Sequence, residues 1–170
     1  MLERIGLSEV HLRCGAHLPF YEKEAERMQR AGEFPNQLHN NCSGKHAGML
    51  ALARHLEADI TEYDQIDSPV QQEILSAVAR FAELPEKQIA IGIDGCGAPN
   101  FAMPVAAMAT CFMNLISPPE RFDDDTRSAC ERIVSAMKNH PELIGGSDIT
   151  VELHQQGELQ QMVAEAVKEA

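Results

Sequence analysis

The chain has 170 residues, 44% apolar and 24% charged, with a formal net charge of −12. This length and composition fit one globular domain with a real hydrophobic core. The charge excess lies in residues 46–170, which carry eight basic and twenty acidic side chains, and such a surface argues against nucleic acid or an anionic membrane as partner.

Residues 1–19 read as irregular, punctuated by Cys14-Gly15 and by His17-Leu18-Pro19. A charged helix is expected over residues 22–31, stopped by Gly32 and then Pro35. The next helix opens at Asn40 and Asn41, both good N-terminal caps, and continues through the apolar run 47–56. That places Cys42, Ser43 and Lys45 in its first turn. A third helix is expected to open at Asp67 or Ser68 and to run to about Glu83. Ser68-Pro69-Val70-Gln71 combines a cap, a proline at the first helical position and a capping-box glutamine.

At residues 88–94 the period changes. Ile89, Ile91 and Ile93 alternate with Ala90 and Gly92, the pattern of a strand. It runs into a tight turn, Asp94-Gly95-Cys96-Gly97-Ala98-Pro99. Residues 101–115 are apolar on all sides and are expected to form a buried helix. Pro118-Pro119 breaks it, and a further helix covers about residues 124–139, ended by Pro141 and Gly145-Gly146. In the tail, residues 149–153 read as a strand and residues 158–170 as an acidic helix. The fold class expected is α/β and helix-rich. The longest apolar stretch is too short for a membrane span and is interrupted by Pro104, Thr110 and Asn114.

The five cysteines have no framework spacing and follow an N-terminus without an apolar signal region. Reduced thiols in a cytoplasm are the expectation. Cys111 and Cys130 fall mid-helix and are assigned to core packing. Cys42 and Lys45, at i and i+3, share a helix face. The helix N-terminus and the lysine would both stabilise a thiolate at Cys42. The plainer alternative is a packed cysteine beside a solvated lysine.

Cys96 sits between two glycines at the end of a strand, where backbone can approach closely. Two thiolates suit zinc, and with one nitrogen they would leave a fourth position open. A lysine ligand must be neutral, so spacing alone supports this set weakly. His17, His39 and His46 lie near enough in sequence to line or support such a site, whereas His11, His55, His140 and His154 read as surface residues. Ser135-Ala136-Met137-Lys138 matches the S-x-x-K nucleophile pattern. Its place late in a polar helix marks it as a surface match.

The segments GLSEVHLRCGAHLP (residues 6–19), LHNNCSGKHAGML (38–50), DSPVQQEI (67–74), IGIDGCGAPNFAMP (91–104) and MKNHPELIGGSD (137–148) resemble the bacterial asparaginase II family, the rhizobial-type or class 3 L-asparaginases. The resemblance runs from about Leu2 to Asp148, so residues 1–148 are expected to be the central part of such a domain and residues 149–170 a divergent acidic tail. It implies a serine β-lactamase/glutaminase-like α/β fold and hydrolysis of L-asparagine, or a similar small-molecule amide, to the acid and ammonia. It also implies a zinc site on Cys42, Lys45 and Cys96, with Asp94 in the substrate pocket; His46 and His17 are the pocket candidates read from position.

The family's Ser-x-x-Lys nucleophile pair and its later Lys-Gly-Gly-Ala-Glu-Gly segment have no match here. The catalytic nucleophile is therefore unassigned, and a completing chain or a homo-oligomer is a possible partner. Two other functions compete with an asparaginase. One is a zinc- or amino-acid-binding remnant without turnover; the other is a thiol hydrolase using Cys42 with Lys45 or His46 as base.

Overall fold

The computed structural model describes residues 1–140, so the expectations for Pro141, Gly145-Gly146 and residues 149–170 lie outside the described residues. Two short 3₁₀ turns, Leu2–Ile5 and Glu9–His11, occupy the N-terminal segment. Then follow α1 (Glu22–Ala31), α2 (Ser43–His55), α3 (Pro69–Ala82), β1 (Ala90–Ile93), β2 (Pro99–Ala102), α4 (Val105–Ile116) and α5 (Asp124–Asn139). The fold is α/β and rich in helix. No helix among the described residues is long and apolar enough to cross a membrane.

Local chemistry explains most of the boundaries. Gly32 ends α1 in the left-handed conformation, φ 66°, which glycine adopts without a Cβ clash. Ser68 caps α3, its Oγ accepting from the Gln71 N–H at 3.3 Å. The expected reciprocal half of the capping box is absent. The Ser68 N–H already donates to the Gln65 carbonyl at 2.9 Å, and the buried Gln71 amide turns instead to the Tyr63 carbonyl, also at 2.9 Å. Ser68→Ala is expected to cost about 1 kcal/mol, read as a lower urea midpoint at an unchanged m-value. An unchanged midpoint would mean that Pro69 fixes the helix start without the hydroxyl.

The main core gathers Leu7 and Leu12 from the N-terminal segment, Leu50 and Ala53 from α2, and Tyr63 and Val70. Cys96 and Ala98 enter the same core from the β1–β2 turn. The hairpin thus brings its turn, not its strands, to the centre of the protein. A smaller cluster of Leu75, Ala79 and Ile89 sits under α3.

Two expectations are corrected. Residues 99–102 form β2, which pairs antiparallel with β1 in the register Ile91↔Phe101 and Ile93↔Pro99. Helix α4 therefore begins at Val105 rather than at 101. Nor is α4 buried all round. Ala107 and Asn114 are its buried residues, while Val105 is 81% and Ile116 64% exposed. The helix packs inward with its small and polar side: Asn114 Nδ2 donates to the Phe81 carbonyl at 2.8 Å. Composition shows how apolar a helix is but not which side has a neighbour. The strand β1 is likewise present but exposed along its length: the described sheet has two strands, and among the described residues no further layer covers Ile91 and Ile93.

Candidate metal and substrate site

The site begins with Asn40. Its side chain is buried, donating to the Cys14 carbonyl at 2.7 Å and accepting from the Cys42 N–H at 2.8 Å. The second contact is an Asx turn, and the first ties that turn to the N-terminal segment. Together they aim the start of α2. Cys42 is the N-cap residue of α2, one position before the expected first turn. The His46 N–H donates to its carbonyl at 3.0 Å.

The other half comes from the hairpin. The Asp94 N–H donates to the Ala98 carbonyl at 2.8 Å, and the Gly97 N–H to the Asp94 carbonyl at 2.9 Å. Gly97 adopts φ +87°, a conformation that strains a residue with a Cβ. The tight loop closes there, and the Cys96 side chain turns into the core beside α2.

The two halves meet at Asp94. Lys45 Nζ donates to Asp94 Oδ2 at 2.7 Å, and the Cys96 and Cys42 sulfurs lie 3.4 and 3.9 Å from the same oxygen. Asp94 Oδ1 accepts from the Gly95 N–H at 2.8 Å. Cys42, Asp94 and Cys96 offer ligand atoms that all lie within 4.8 Å of one another. The two sulfur–oxygen distances are close to the roughly 3.5 Å that such atoms keep in a tetrahedral zinc shell. In number and kind these donors fit a divalent, thiophilic ion.

The electrostatics separate the roles. The hydrogen bonds from Lys45 and Cys96 pull the Asp94 carboxyl down to about 2. Burial pulls the Lys45 amine down, but the hydrogen bonds to Asp94 and Cys96 outweigh it and the net shift is upward. Lys45 is thus an ammonium paired with a carboxylate, and as an ammonium it has no lone pair to donate. Burial and the contact with Cys96 raise the Cys42 thiol above its ordinary value despite Lys45. The expected thiolate stabilisation at the helix start is not what this geometry gives: desolvation of a half-buried sulfur wins over the helix end and the lysine.

A pH dependence follows. A carboxyl whose folded pKa is depressed stabilises the fold above its unfolded pKa of about 3.9 and loses that contribution as pH falls towards 2. Acid titration should show the Lys45–Asp94 pair persisting at pH 4 and breaking with a midpoint at about 2. The Asp94 side-chain carboxyl signal in NMR reads this directly. A midpoint near 4 would mean the pair does not persist in solution.

The candidate histidines part company. His46 is fully buried, with Nδ1 at 2.7 Å from the Tyr63 hydroxyl and its ring edge-on to Tyr63. Its Nε2 has no hydrogen-bond partner among the described residues, and burial followed by Lys45 lowers its pKa. It is a neutral core histidine that shares α2 with the cluster without bonding to it. His17 reaches the residue before Cys42, its Nε2 3.3 Å from Asn41 Oδ1, and stacks on Phe20. His39 is bound locally, accepting from the Asn36 N–H. Ser135 of the S-x-x-K match is exposed in α5, beside Asn139.

Sequence reading missed Tyr63. It is fully buried and accepts from the Arg13 N–H at 2.9 Å while contacting His46. Its carbonyl holds Ser68 and Gln71. No local pattern marks it. Asn40 carried a signal, its place in the Asn-Asn-Cys-Ser-Gly-Lys-His run, but its tie to Cys14 is a tertiary fact.

The family model described as L-asparaginase II matches residues 1–167. No curated protein sequence matches the chain.

Proposed function

The chain belongs to the L-asparaginase II family, and from that membership we propose that it serves the hydrolysis of L-asparagine, or a closely similar amino-acid amide, to the acid and ammonia. One observation carries the substrate class. The Lys45–Asp94 pair is partly open, the two side chains 38% and 37% exposed. An amino-acid amide brings an α-ammonium and an α-carboxylate, the charges complementary to such a pair. Whichever of the two does not ligate the metal is the proposed anchor, Asp94 for the ammonium or Lys45 for the carboxylate, with His17 at the rim and His46 on the buried side of α2 as a support of the pocket.

The metal proposed is zinc, held by the sulfurs of Cys42 and Cys96. The third ligand is Lys45 as the family resemblance implies, or Asp94, which the observed cluster favours. When bound, the ion supplies Lewis-acid polarisation or a fixed positive charge at the pocket. Lys45 can join it only by losing a proton, and the Cys42 thiol must also lose one. Zinc uptake is therefore expected to release protons and to tighten as pH rises. Measuring zinc affinity in Lys45→Met and Asp94→Ala decides which is the ligand.

The attacking group is left to a residue or chain outside this cluster. Cys42 fits that role poorly, because its thiol pKa is raised and a nucleophilic cysteine needs the opposite. The test is ammonia release from L-asparagine by the zinc-loaded protein. Asp94→Asn is expected to lower kcat/KM by about tenfold to a hundredfold, the worth of one hydrogen bond to a charged group. Asparagine binding without ammonia would make the chain a binding module. Loss of activity in Cys42→Ser with zinc retained would favour a thiol hydrolase. Neither binding nor turnover would sink the substrate reading.

A further inference from the structure

The loop that precedes α1 reaches the start of α2 twice. In the first contact the buried Asn40 amide donates to the Cys14 carbonyl. The second is His17, a half-buried ring whose surroundings leave it one tautomer. Its Nδ1 lies 2.6 Å from the Leu18 carbonyl. A carbonyl only accepts, so Nδ1 carries the proton. Nε2 is then the lone-pair nitrogen, and the Asn41 N–H donates to it at 3.4 Å. Asn41 Oδ1 also lies 3.3 Å from Nε2. Two facing lone pairs repel, so with the ring neutral the carboxamide turns its NH2 to Nε2. One face of the ring lies on Phe20, centroids 4.9 Å apart and planes 19° from parallel, which fixes the direction in which Nε2 points.

Asn41 offers no ligand to the cluster, but its backbone leads directly into one. Residues 40–43 form a tight turn in which the Ser43 N–H donates to the Asn40 carbonyl at 2.9 Å. That carbonyl and the Asn41 N–H belong to one peptide group. Ser43 and His17 therefore hold the two ends of the same peptide plane, and Cys42 follows as the N-cap of α2. A peptide plane held at one end can rotate; held at both, it sets the direction of the side chain that comes next.

We propose that His17 is a positioning residue of the metal site: as the Nδ1–H tautomer it holds the Asn40–Asn41 peptide through Nε2 and so aims the Cys42 sulfur at Asp94 and Cys96. This role rests on Cys42 and Cys96 being the metal ligands proposed above. Loss of the Nε2 contact leaves both Asn40 bonds in place. Zinc affinity should therefore fall by about tenfold, the low end for partners that orient metal ligands.

Competition with a chromophoric chelator at pH 7.5 tests this in His17→Ala, His17→Asn and His17→Gln. Asparagine keeps a donor where Nδ1 stands and has nothing at Nε2, whereas glutamine places an acceptor there. Affinity is expected to fall about tenfold in His17→Ala and His17→Asn and to return towards that of the unaltered protein in His17→Gln. A residue that only packs on Phe20 would not separate glutamine from asparagine. Nitrogen-15 NMR of the zinc-free protein at pH 8 reads the tautomer, with Nε2 expected as the unprotonated nitrogen. Should His17→Ala lower the urea midpoint, the comparison of asparagine with glutamine decides alone. Unchanged affinity in His17→Ala, glutamine no better than asparagine, or a protonated Nε2 at pH 8 overturns the proposal. If the unaltered protein takes up no zinc, it is the metal reading of Cys42 and Cys96 that fails. Exchange of the Asn41 amide then decides the His17 contact: it should quicken in His17→Ala and His17→Asn but not in His17→Gln, and equal rates in all four proteins overturn it.

Discussion

Cys42→Ala and Cys96→Ala are each expected to weaken zinc binding by more than about a hundredfold, measured by competition with a chromophoric chelator at pH 7.5. The bound follows from the outer-shell partners of metal sites, whose loss alone costs about 10–100-fold; removing a ligand atom should exceed it. The two sulfurs come from elements far apart in sequence, the α2 N-cap and the β1–β2 turn, and Asp94 Oδ2 lies 3.9 and 3.4 Å from them. Loss of either sulfur leaves no second thiolate among the described residues within the same ligand set. Cys111→Ala is the control. Its sulfur sits on α4 near the Val78 carbonyl, so zinc affinity should be unchanged. If Cys96→Ala binds zinc as the unaltered protein does, the two halves do not form one metal site.

Tyr63→Phe is expected to lower the unfolding free energy by about 2–4 kcal/mol. The ring would stay in place, so little apolar burial changes. What goes is an oxygen that accepts from the Arg13 N–H at 2.9 Å and lies 2.7 Å from His46 Nδ1. A buried polar group left without its partner costs about 1–3 kcal/mol, and two are exposed to that loss here. His46 is the more costly, since its side chain is fully buried and its Nε2 already has no partner among the described residues. Urea unfolding reads the difference. Tyr21→Phe serves as reference, because Tyr21 is half exposed and should stay within about 0.5 kcal/mol of the unaltered protein. A cost below about 1 kcal/mol for Tyr63→Phe would show that water replaces the hydroxyl and that the core there is not dry.

Tyr63 also bears on the site. His46 follows Lys45 in α2, so the hydroxyl fixes the turn of helix that presents Cys42 and Lys45. Tyr63→Phe should therefore weaken zinc binding as well as stability, while Ser68→Ala, which removes a bond to the Tyr63 carbonyl and leaves its hydroxyl in place, should affect stability alone.

How much was legible beforehand varies with the range of the interaction. Helices α1 and α5 were bounded from the sequence as the structure has them, since a capping residue, a terminal glycine and a 3.6-residue period are all local. The strand expected at residues 88–94 was legible and is β1 (Ala90–Ile93), but its partner was not: Pro99-Asn100-Phe101-Ala102 reads as the head of an apolar helix until β1 lies beside it. The inversion of α4 was hidden for the same reason, and so was the end of the capping box, where Gln71 prefers the Tyr63 carbonyl to the cap.

By itself the sequence determined the family, whose model spans residues 1–167, and pointed to Cys42, Lys45, Asp94 and Cys96 through two short segments whose residue order is distinctive. Only the tertiary structure decided how they meet. The Asn40 tie to Cys14 and the Gly97 turn bring α2 against the hairpin, and the short Lys45–Asp94 distance then fixes the lysine as a cation and the aspartate as its anion. Protonation depends on distance and burial, neither of which is written in the order of residues, so the thiol and the lysine took states that spacing alone could not assign.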